Sequence, residues 1–518
     1  MINKKISLYT CNTLYICCLL IVSFLFLASL LVTYTFPTTW DEIPYRKSLN
    51  GVGLSIAGFF IFFCLSQELL KRLNFSASRR TRICCFFITI VIATSWCLIA
   101  NVGPYADQYT MQQLVILKLQ GIVPNADSFT YIDHYPYQAG YFIYMYMIAS
   151  LFGENNYLAY RFFNILCVAL IVCLISRMAE IITKNEKVGS VSAILLTTFL
   201  PFSFTSTLIY GNIPSLLFSL ISCEQAILIV KQRNKRFATR TGIMCVSLFI
   251  ALWFKPNAMI FLIAIGLWLL IGSLKNKKLV YLIPIGLLFV VYYLNGVILN
   301  YSALFFIGDI PLRGTPLCAW LAMGLQESEK APGWYNNYVW MVWIENSGDA
   351  ASITAASAQS ITESLSRFFS DPWGAIRFFG KKILTQWSEP TFQSLWNTFG
   401  ASQEGKNSVF YNFYNYDSRL QMSFMYGKAR TLYELYCDSL QTFVYLSAVL
   451  GLICQLKRKN FSSTLLIISF LGGFLYFFLF EAKSMYVLPY FLLLFPFSAI
   501  GLIETSNYLK IKHLAKNR

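Results

Sequence analysis

Apolar runs of about 15 to 22 residues recur about twelve times along this chain, and nothing else constrains its fold as strongly. A run of that length crosses the hydrocarbon core of a bilayer as a helix, because in lipid a segment must satisfy its own backbone polar groups. The runs fall at roughly 13–34, 52–70, 83–101, 160–182, 189–207, 212–230, 241–255, 257–273, 279–299, 435–456, 462–481 and 486–505. The seventh and eighth are short and also fit one re-entrant pair. Only 13% of the 518 residues are charged, against roughly 25% in soluble proteins. The expected fold is an all-α polytopic membrane protein. Its first run is too long for a signal-peptide core and has no convincing cleavage site, so it is read as a retained anchor.

The net charge of +17 raises the question of nucleic acid, and the placement of the charges answers it. Lys and Arg fall in short clusters between apolar runs: Lys4-Lys5, "KRLNFSASRRTR" (71–82), "KQRNKRFATR" (231–240), "KNKK" (275–278), "KRK" (457–459) and "KIKHLAKNR" (510–518). No continuous basic stripe exists for a phosphate backbone, so no nucleic-acid partner is expected. With twelve spans and both termini cytoplasmic, every cluster lies on the cytoplasmic side, as the positive-inside rule requires. The chain is therefore expected to be a multi-pass cell-membrane protein.

Two long loops fall on the opposite side, at about 102–158 and 300–434. The second is too long to lack structure and reads as a small α-rich domain. Within it, "DAASITAASAQSITESLSRFFSD" (349–371) reads as a helix with Ile353, Ile361, Leu365 and Phe368/Phe369 on its apolar face. The chain divides into a two-span N-terminal addition (1–82), a membrane core (83–299), the external domain (300–434) and three C-terminal spans with a basic tail (435–518). In the first loop, "YIDHYPYQAGYFIYMYMIASLFG" (131–153) reads as an interfacial helix, its tyrosines placed at headgroup depth. Most of the fourteen cysteines sit inside apolar runs as small apolar side chains. Cys318 and Cys437 fall outside, where a disulfide is open to them.

Asp107, in "GPYADQYTMQQ" (103–113), follows a span by about six residues, so the helix fixes its depth at the membrane boundary. A carboxylate there can act as a general base on a hydroxyl whose reaction partner is embedded in lipid. Asp133, His134 and Lys118 share its loop. Asp41 and Glu42, in "TTWDEIPYR" (38–46), lie on the same side after the first span and are rival acids.

Five stretches carry a resemblance to a known group. They are "PYADQY" (104–109), "YPYQAGYFIYMYMIASLFG" with "YRFFN" (135–164), "LIYGNIPSLLFSL" (208–220), "ALWFKPNAMIFLIA" (251–264) and "LFEAKSMYVLPYFLLLFPFSAIGL" (479–502). In order and spacing they resemble the GT-C superfamily of polyprenyl-phosphate-sugar-dependent glycosyltransferases. The likeness is nearest to the bacterial branch related to protein mannosyltransferases and lipid A aminoarabinose transferases. The resemblance covers roughly residues 83–505. It implies transfer of a sugar from a polyprenyl-phosphate donor to an extracytoplasmic glycan acceptor, such as a wall polysaccharide or teichoic acid. Transfer would proceed with inversion, Asp107 serving as base.

The resemblance also implies a basic site for the donor phosphate, and Lys255, Lys483 and Arg161 are the candidates. Each of them also fits a plain snorkelling role. Asp133, His134, Glu481, Trp320, Glu327, Trp334 and Tyr335 are candidate substrate contacts. Two departures matter. Gln108 follows Asp107 where many relatives pair two acids, which disfavours a divalent metal, so no cofactor is expected. Met485 stands where relatives often place Arg, which leaves the basic role there to Lys483. A flippase of lipid-linked glycans and a glycan polymerase or ligase are the competing readings. The absence of internal repeats argues against the flippase.

Overall fold

The computed structural model describes residues 2–35, 43–47, 49–72, 78–100, 103–104, 106–122, 130–154, 157–231, 236–307, 313–399 and 419–516. The N-terminal half comprises α1 (Ile2–Leu31), β1 (Val32–Thr35), β2 (Ile43–Arg46), α2 (Leu49–Arg72), α3 (Ser78–Ala100), α4 (Asp107–Leu119), α5 (Thr130–His134), α6 (Ala139–Phe152), α7 (Tyr157–Thr183), α8 (Glu186–Thr198), α9 (Leu200–Phe204), α10 (Asn212–Lys231), α11 (Phe237–Phe254), α12 (Met259–Asn276) and α13 (Leu282–Ile307). The external segment holds α14 (Leu317–Gly324), α15 (Tyr338–Glu345), α16 (Ala350–Ser370), α17 (Pro372–Trp387), α18 (Ser394–Phe399) and α19 (Arg419–Tyr426). The chain closes with α20 (Lys428–Arg458), α21 (Thr464–Leu479), α22 (Ser484–Phe491) and α23 (Phe495–Lys516).

Among the described residues, 11 helices are long and apolar enough to cross a membrane, and the bent pair α8–α9 makes up to 12. The all-α polytopic fold read from the sequence is the fold found. The run expected at 189–207 is not one straight span: it bends by 59° between Thr198 and Leu200. Pro201 explains the break at Phe199: it has no N–H to bond the Thr197 carbonyl and its ring would clash with that carbonyl in a continuous helix. The seventh and eighth runs are two full spans, Phe237–Phe254 and Pro256–Asn276, joined at Lys255, as the count of twelve had them and not the alternative re-entrant pair.

The core lies where α20, α23, α1, α21 and α12 meet. α20 and α23 touch backbone to backbone. A Cβ on Gly451 would sit 1.9 Å from the Phe497 carbonyl oxygen, and one on Gly501 would sit 2.0 Å from that of Ser447. The first two spans are built into this packing. The β1–β2 hairpin between them delivers Lys47, whose Nζ lies 2.8 Å from Asp438 Oδ2 on α20. Ser55 and Thr33 donate to the same carboxylate at 2.8 and 2.7 Å.

Three local expectations change. α6 forms where the interfacial helix was read, but two of its tyrosines turn inward: Tyr141 and Tyr144 are buried against Phe254, Phe163 and Tyr210. α16 forms where expected, capped by Asp349, which accepts from Ser352 N at 2.8 Å. Its buried face, however, carries Ile353, Ser357 and Ser364, which leaves Leu365 and Phe369 exposed. Cys318 and Cys437 are both free thiols, one on α14 and the other buried in α20 beside Tyr433 and Trp96, so they form no disulfide.

Candidate active site

Because consecutive spans alternate in direction, Lys71, Arg79, Lys187, Lys277 and Lys457 collect at one end of the bundle. The turns at 208–211, 255 and 480–483, together with α4–α6 and the external helices, collect at the other. There they enclose a cavity of about 460 Å³, within the range of small-molecule sites.

α4 brings Asp107 into this cavity. Ala106, at its N-cap, holds φ 47°, a region costly for a residue with a Cβ, and strain of this kind tends to sit at functional positions. Surrounding contacts impose it. Gln108 Oε1 accepts from Ile209 N at 2.8 Å, and Met111, Leu114 and Val115 are buried against α6. Asp107 lines the cavity and stays accessible to solvent there. Enclosure pushes its carboxyl above the ordinary carboxylate range; Lys483 and then Lys255 pull it back, Glu481 pushes it up, and a hydrogen bond from Tyr131 pulls it down. Tyr131 and Tyr210 line the same cavity, and the Tyr210 hydroxyl meets the Gln138 amide. Asp107, Tyr131, Tyr210 and Gln138 therefore share one polar stretch of its lining.

Lys255 stands at the apex between α11 and α12. Pro256 cannot continue α11, so the chain turns there and leaves Lys255 extended, at φ −158°. Close packing holds the apex: a Cβ on Gly211 would meet the Phe254 carbonyl oxygen at 2.2 Å. Lys255 Nζ lies 4.0 Å from the Tyr210 ring centre, a cation–π contact. Burial lowers its pKa to about 7; Asp107 and Glu481 oppose that fall and Lys483 adds to it.

Lys483 enters from the turn after α21. Its Nζ is 3.2 Å from Glu481 Oε1, and lies 5.4 Å from the Tyr486 ring centre and 5.8 Å from that of Tyr335. Burial works against its charge, but Tyr486, Glu481 and Asp107 outweigh that and hold the ammonium well above its ordinary range. The external domain locks onto this turn in two ways. Lys382, from α17, donates to the carbonyls of Gly324, Leu479 and Phe480. Ala482 N donates to the Gly333 carbonyl at 2.8 Å. Burial lowers the Lys382 pKa to about 7, with Glu481 opposing.

Seven sequence-derived candidates share the cavity: Asp107, Lys255, Lys483, Glu481, Trp320, Trp334 and Tyr335. The others lie elsewhere. Asp133 is paired with Arg313 and also accepts from Arg313 N at 2.8 Å, while His134 Nδ1 is 3.0 Å from Thr315 Oγ1. Together they pin residues 313–315 to α5. Arg161 is buried in α7 near Cys97 and Tyr157 and does not line the cavity. Glu327 is exposed on the external segment, and Asp41 and Glu42 lie outside the described residues.

Sequence reasoning missed Tyr131, Tyr210, Gln138, Gln393 and Glu389. Glu389 is fully buried and accepts from Thr391 N at 2.9 Å, Gln393 N at 2.6 Å and Ser484 Oγ at 2.8 Å, besides the Thr391 hydroxyl. It holds the left-handed pair Phe392 and Gln393 (φ 48° and 56°) beside the Lys483 turn. Burial raises its pKa to about 7, against the pull of those hydrogen bonds. The only hint in the sequence was the polar "SEPTFQ" (388–393) within the second long loop.

Residues 136–294 match the dolichyl-phosphate-mannose-protein mannosyltransferase family, which bears out the resemblance read from the sequence. The matched segment contains Gln138, Tyr210 and Lys255, while Asp107, Glu481 and Lys483 lie outside it. No curated protein matches the chain. Among solved structures, the archaeal oligosaccharyltransferase AglB from Archaeoglobus fulgidus, in complex with an inhibitory peptide and a dolichol-phosphate, superposes with a TM-score of 0.44 at 11% identity. The superposition covers 85% of this chain and 52% of that one, so this chain spans about half the length of that protein.

Proposed function

We propose that this protein is an integral-membrane glycosyltransferase that moves a sugar from a polyprenyl-phosphate donor to an extracytoplasmic acceptor of the cell envelope, with inversion. The observation that carries the reading is the presence, in one membrane-edge cavity, of the Asp107 carboxylate and the two ammonium groups of Lys255 and Lys483. Transfer from a sugar phosphate needs a base for the acceptor proton and positive charge for the departing phosphate. Asp107 takes the proton as the acceptor oxygen bonds to the anomeric carbon. The bond from that carbon to the phosphate oxygen breaks, and its electron pair leaves with the phosphate, beside Lys255 and Lys483. The aromatic wall of Trp320, Trp334 and Tyr335 offers flat faces to a sugar ring.

Two further arguments support a lipid-borne donor. The cavity lies at the end of the bundle opposite the basic clusters, which the positive-inside rule puts outside the cytoplasm, away from nucleotide sugars. The matched family also takes its printed name from a dolichyl-phosphate sugar.

The test is reconstitution in vesicles with radiolabelled polyprenyl-phosphate sugars and envelope glycan acceptors. Asp107→Asn is expected to abolish transfer while the protein still inserts and binds donor. Full activity in that variant would remove the assigned base. Movement of the labelled lipid between leaflets without any acceptor would replace the reading with a flippase.

A further inference from the structure

The elbow between α16 and α17 exposes three large apolar side chains: Phe369 at 84%, Trp373 at 73% and Ile376 at 60%. Ile376 and Arg377 lie three and four residues after Trp373, and Lys381 lies four after Arg377, so the four form one stripe along α17. All four are exposed. The opposite face of the helix is used up by packing. Phe378 and Phe379 contact Phe368, the Phe379 ring stacks on Phe478 of α21 at 4.5 Å, and Lys382 caps the last carbonyls of that span.

α21 fixes where this stripe lies relative to the bilayer. Its Leu475 and Leu479 are exposed apolar residues on a membrane-crossing helix, a surface that lipid covers. α17 runs down alongside it: Phe379 lies against Phe478, and Trp387 lies against Phe474 and Phe470, further into the span. Trp373 precedes Phe379 by six residues, which places it about 9 Å further along the helix axis, past the end of the span. The stripe therefore continues the lipid-facing surface outward into the headgroup layer. Tryptophan favours that layer, and Arg and Lys there meet phosphates.

We infer that the α16–α17 elbow is a membrane-surface anchor, seated in the outer headgroup layer by Phe369, Trp373 and Ile376 and held to anionic phospholipid by Arg377 and Lys381. Asp371 accompanies Arg377 at 3.6 Å, with both side chains exposed, so the guanidinium keeps donors free for a phosphate. The inference rests on the fold and holds whatever reaction the cavity performs. It also has a consequence for the cavity. Since α17 carries Lys382, seating the elbow fixes the height of the external domain above the turn that bears Glu481 and Lys483.

The experiment places photoreactive benzoylphenylalanine at Trp373 in the full-length protein. The protein is reconstituted into vesicles of phosphatidylcholine alone or mixed with phosphatidylglycerol, with the same label at Leu475 as a lipid-facing control. Phospholipid adducts are expected at both positions. The Trp373 yield should be several-fold higher in the anionic vesicles, and that gain should be lost in the Arg377→Glu/Lys381→Glu variant. Adducts at Leu475 but none at Trp373 would overturn the anchor, as would adducts at Trp373 that join two protein copies. Equal yields in the two membranes would overturn the role given to the two cations.

Discussion

The ammonium of Lys255 lies 4.0 Å from the centre of the Tyr210 ring, and Tyr210 lines the cavity together with Asp107. The cationic and the basic parts of the cavity therefore share one aromatic neighbour. Perturbing either part should be visible in the other.

On the proposed reading, Lys255 sets the alkaline side of the rate profile. As the base, Asp107 would work ionised, so the rate should rise with pH as its raised carboxyl loses its proton. Lys255 would work charged, and its pKa of about 7 should make the rate fall as pH climbs through that value. Lys255→Arg should keep the charge and move the falling limb well above pH 7. Lys255→Met should cost about 10²–10³ in kcat, the scale of removing one preorganised charge-stabilising group. Initial rates across pH with saturating donor check both, and an unmoved falling limb in the arginine variant rejects the assignment.

Tyr131 lowers the Asp107 pKa by hydrogen bonding to it. Tyr131→Phe removes that bond, so the carboxyl should hold its proton to higher pH and the rising limb should shift alkaline. At pH above that limb, activity should largely recover. A uniform loss at every pH would mean that Tyr131 only packs the wall.

Glu389 acts through its neighbours. In Glu389→Gln an amide NH₂ replaces one oxygen and confronts N–H donors that a carboxylate had satisfied, a cost of about 1–3 kcal/mol for the unpaired group. The 389–393 turn and Ser484 should then shift, and Lys483 with them. The expected readout is a raised donor KM and a kcat about 10-fold lower, with the melting temperature lowered by only a few degrees. Normal kinetics would reduce Glu389 to a packing residue.

Asp438 tests how firmly the first two spans are joined to the rest. Its ion pair with Lys47 is almost completely shielded, with side-chain exposures of 10% and 2%. Asp438→Asn leaves the ammonium unpaired and should destabilise by about 3–5 kcal/mol. Asp438→Leu combined with Lys47→Met should recover most of that loss. Thermal unfolding in detergent measures both.

Much of this architecture was legible because lipid imposes a simple grammar: span length, basic clusters and the apex "WFKPN" follow directly from apolar runs and their interruptions. Asp107, Lys255 and Lys483 were readable for the same reason, being charges at places where charge is costly. The tyrosines misled, because Tyr141 and Tyr144 have the composition of headgroup anchors yet fill space between helices. Whether a ring meets lipid or protein depends on neighbours distant in the chain. Glu389 was hidden for a like reason. Its significance lies in Ser484, 95 residues away, and no local pattern announces that bond.

The single-residue apex at Lys255 has a consequence for how such a cavity diversifies. Two long spans meet there with no slack, and the backbone is pressed against Gly211, so neither insertion nor loop motion can reshape that end. The facing wall, with Trp320, Trp334 and Tyr335, belongs to a separate external layer held on by a few contacts such as Lys382. One side of the cavity is thus a fixed socket and the other an exchangeable faceplate. Changes in which sugar is accepted would accumulate on the faceplate and leave the socket untouched.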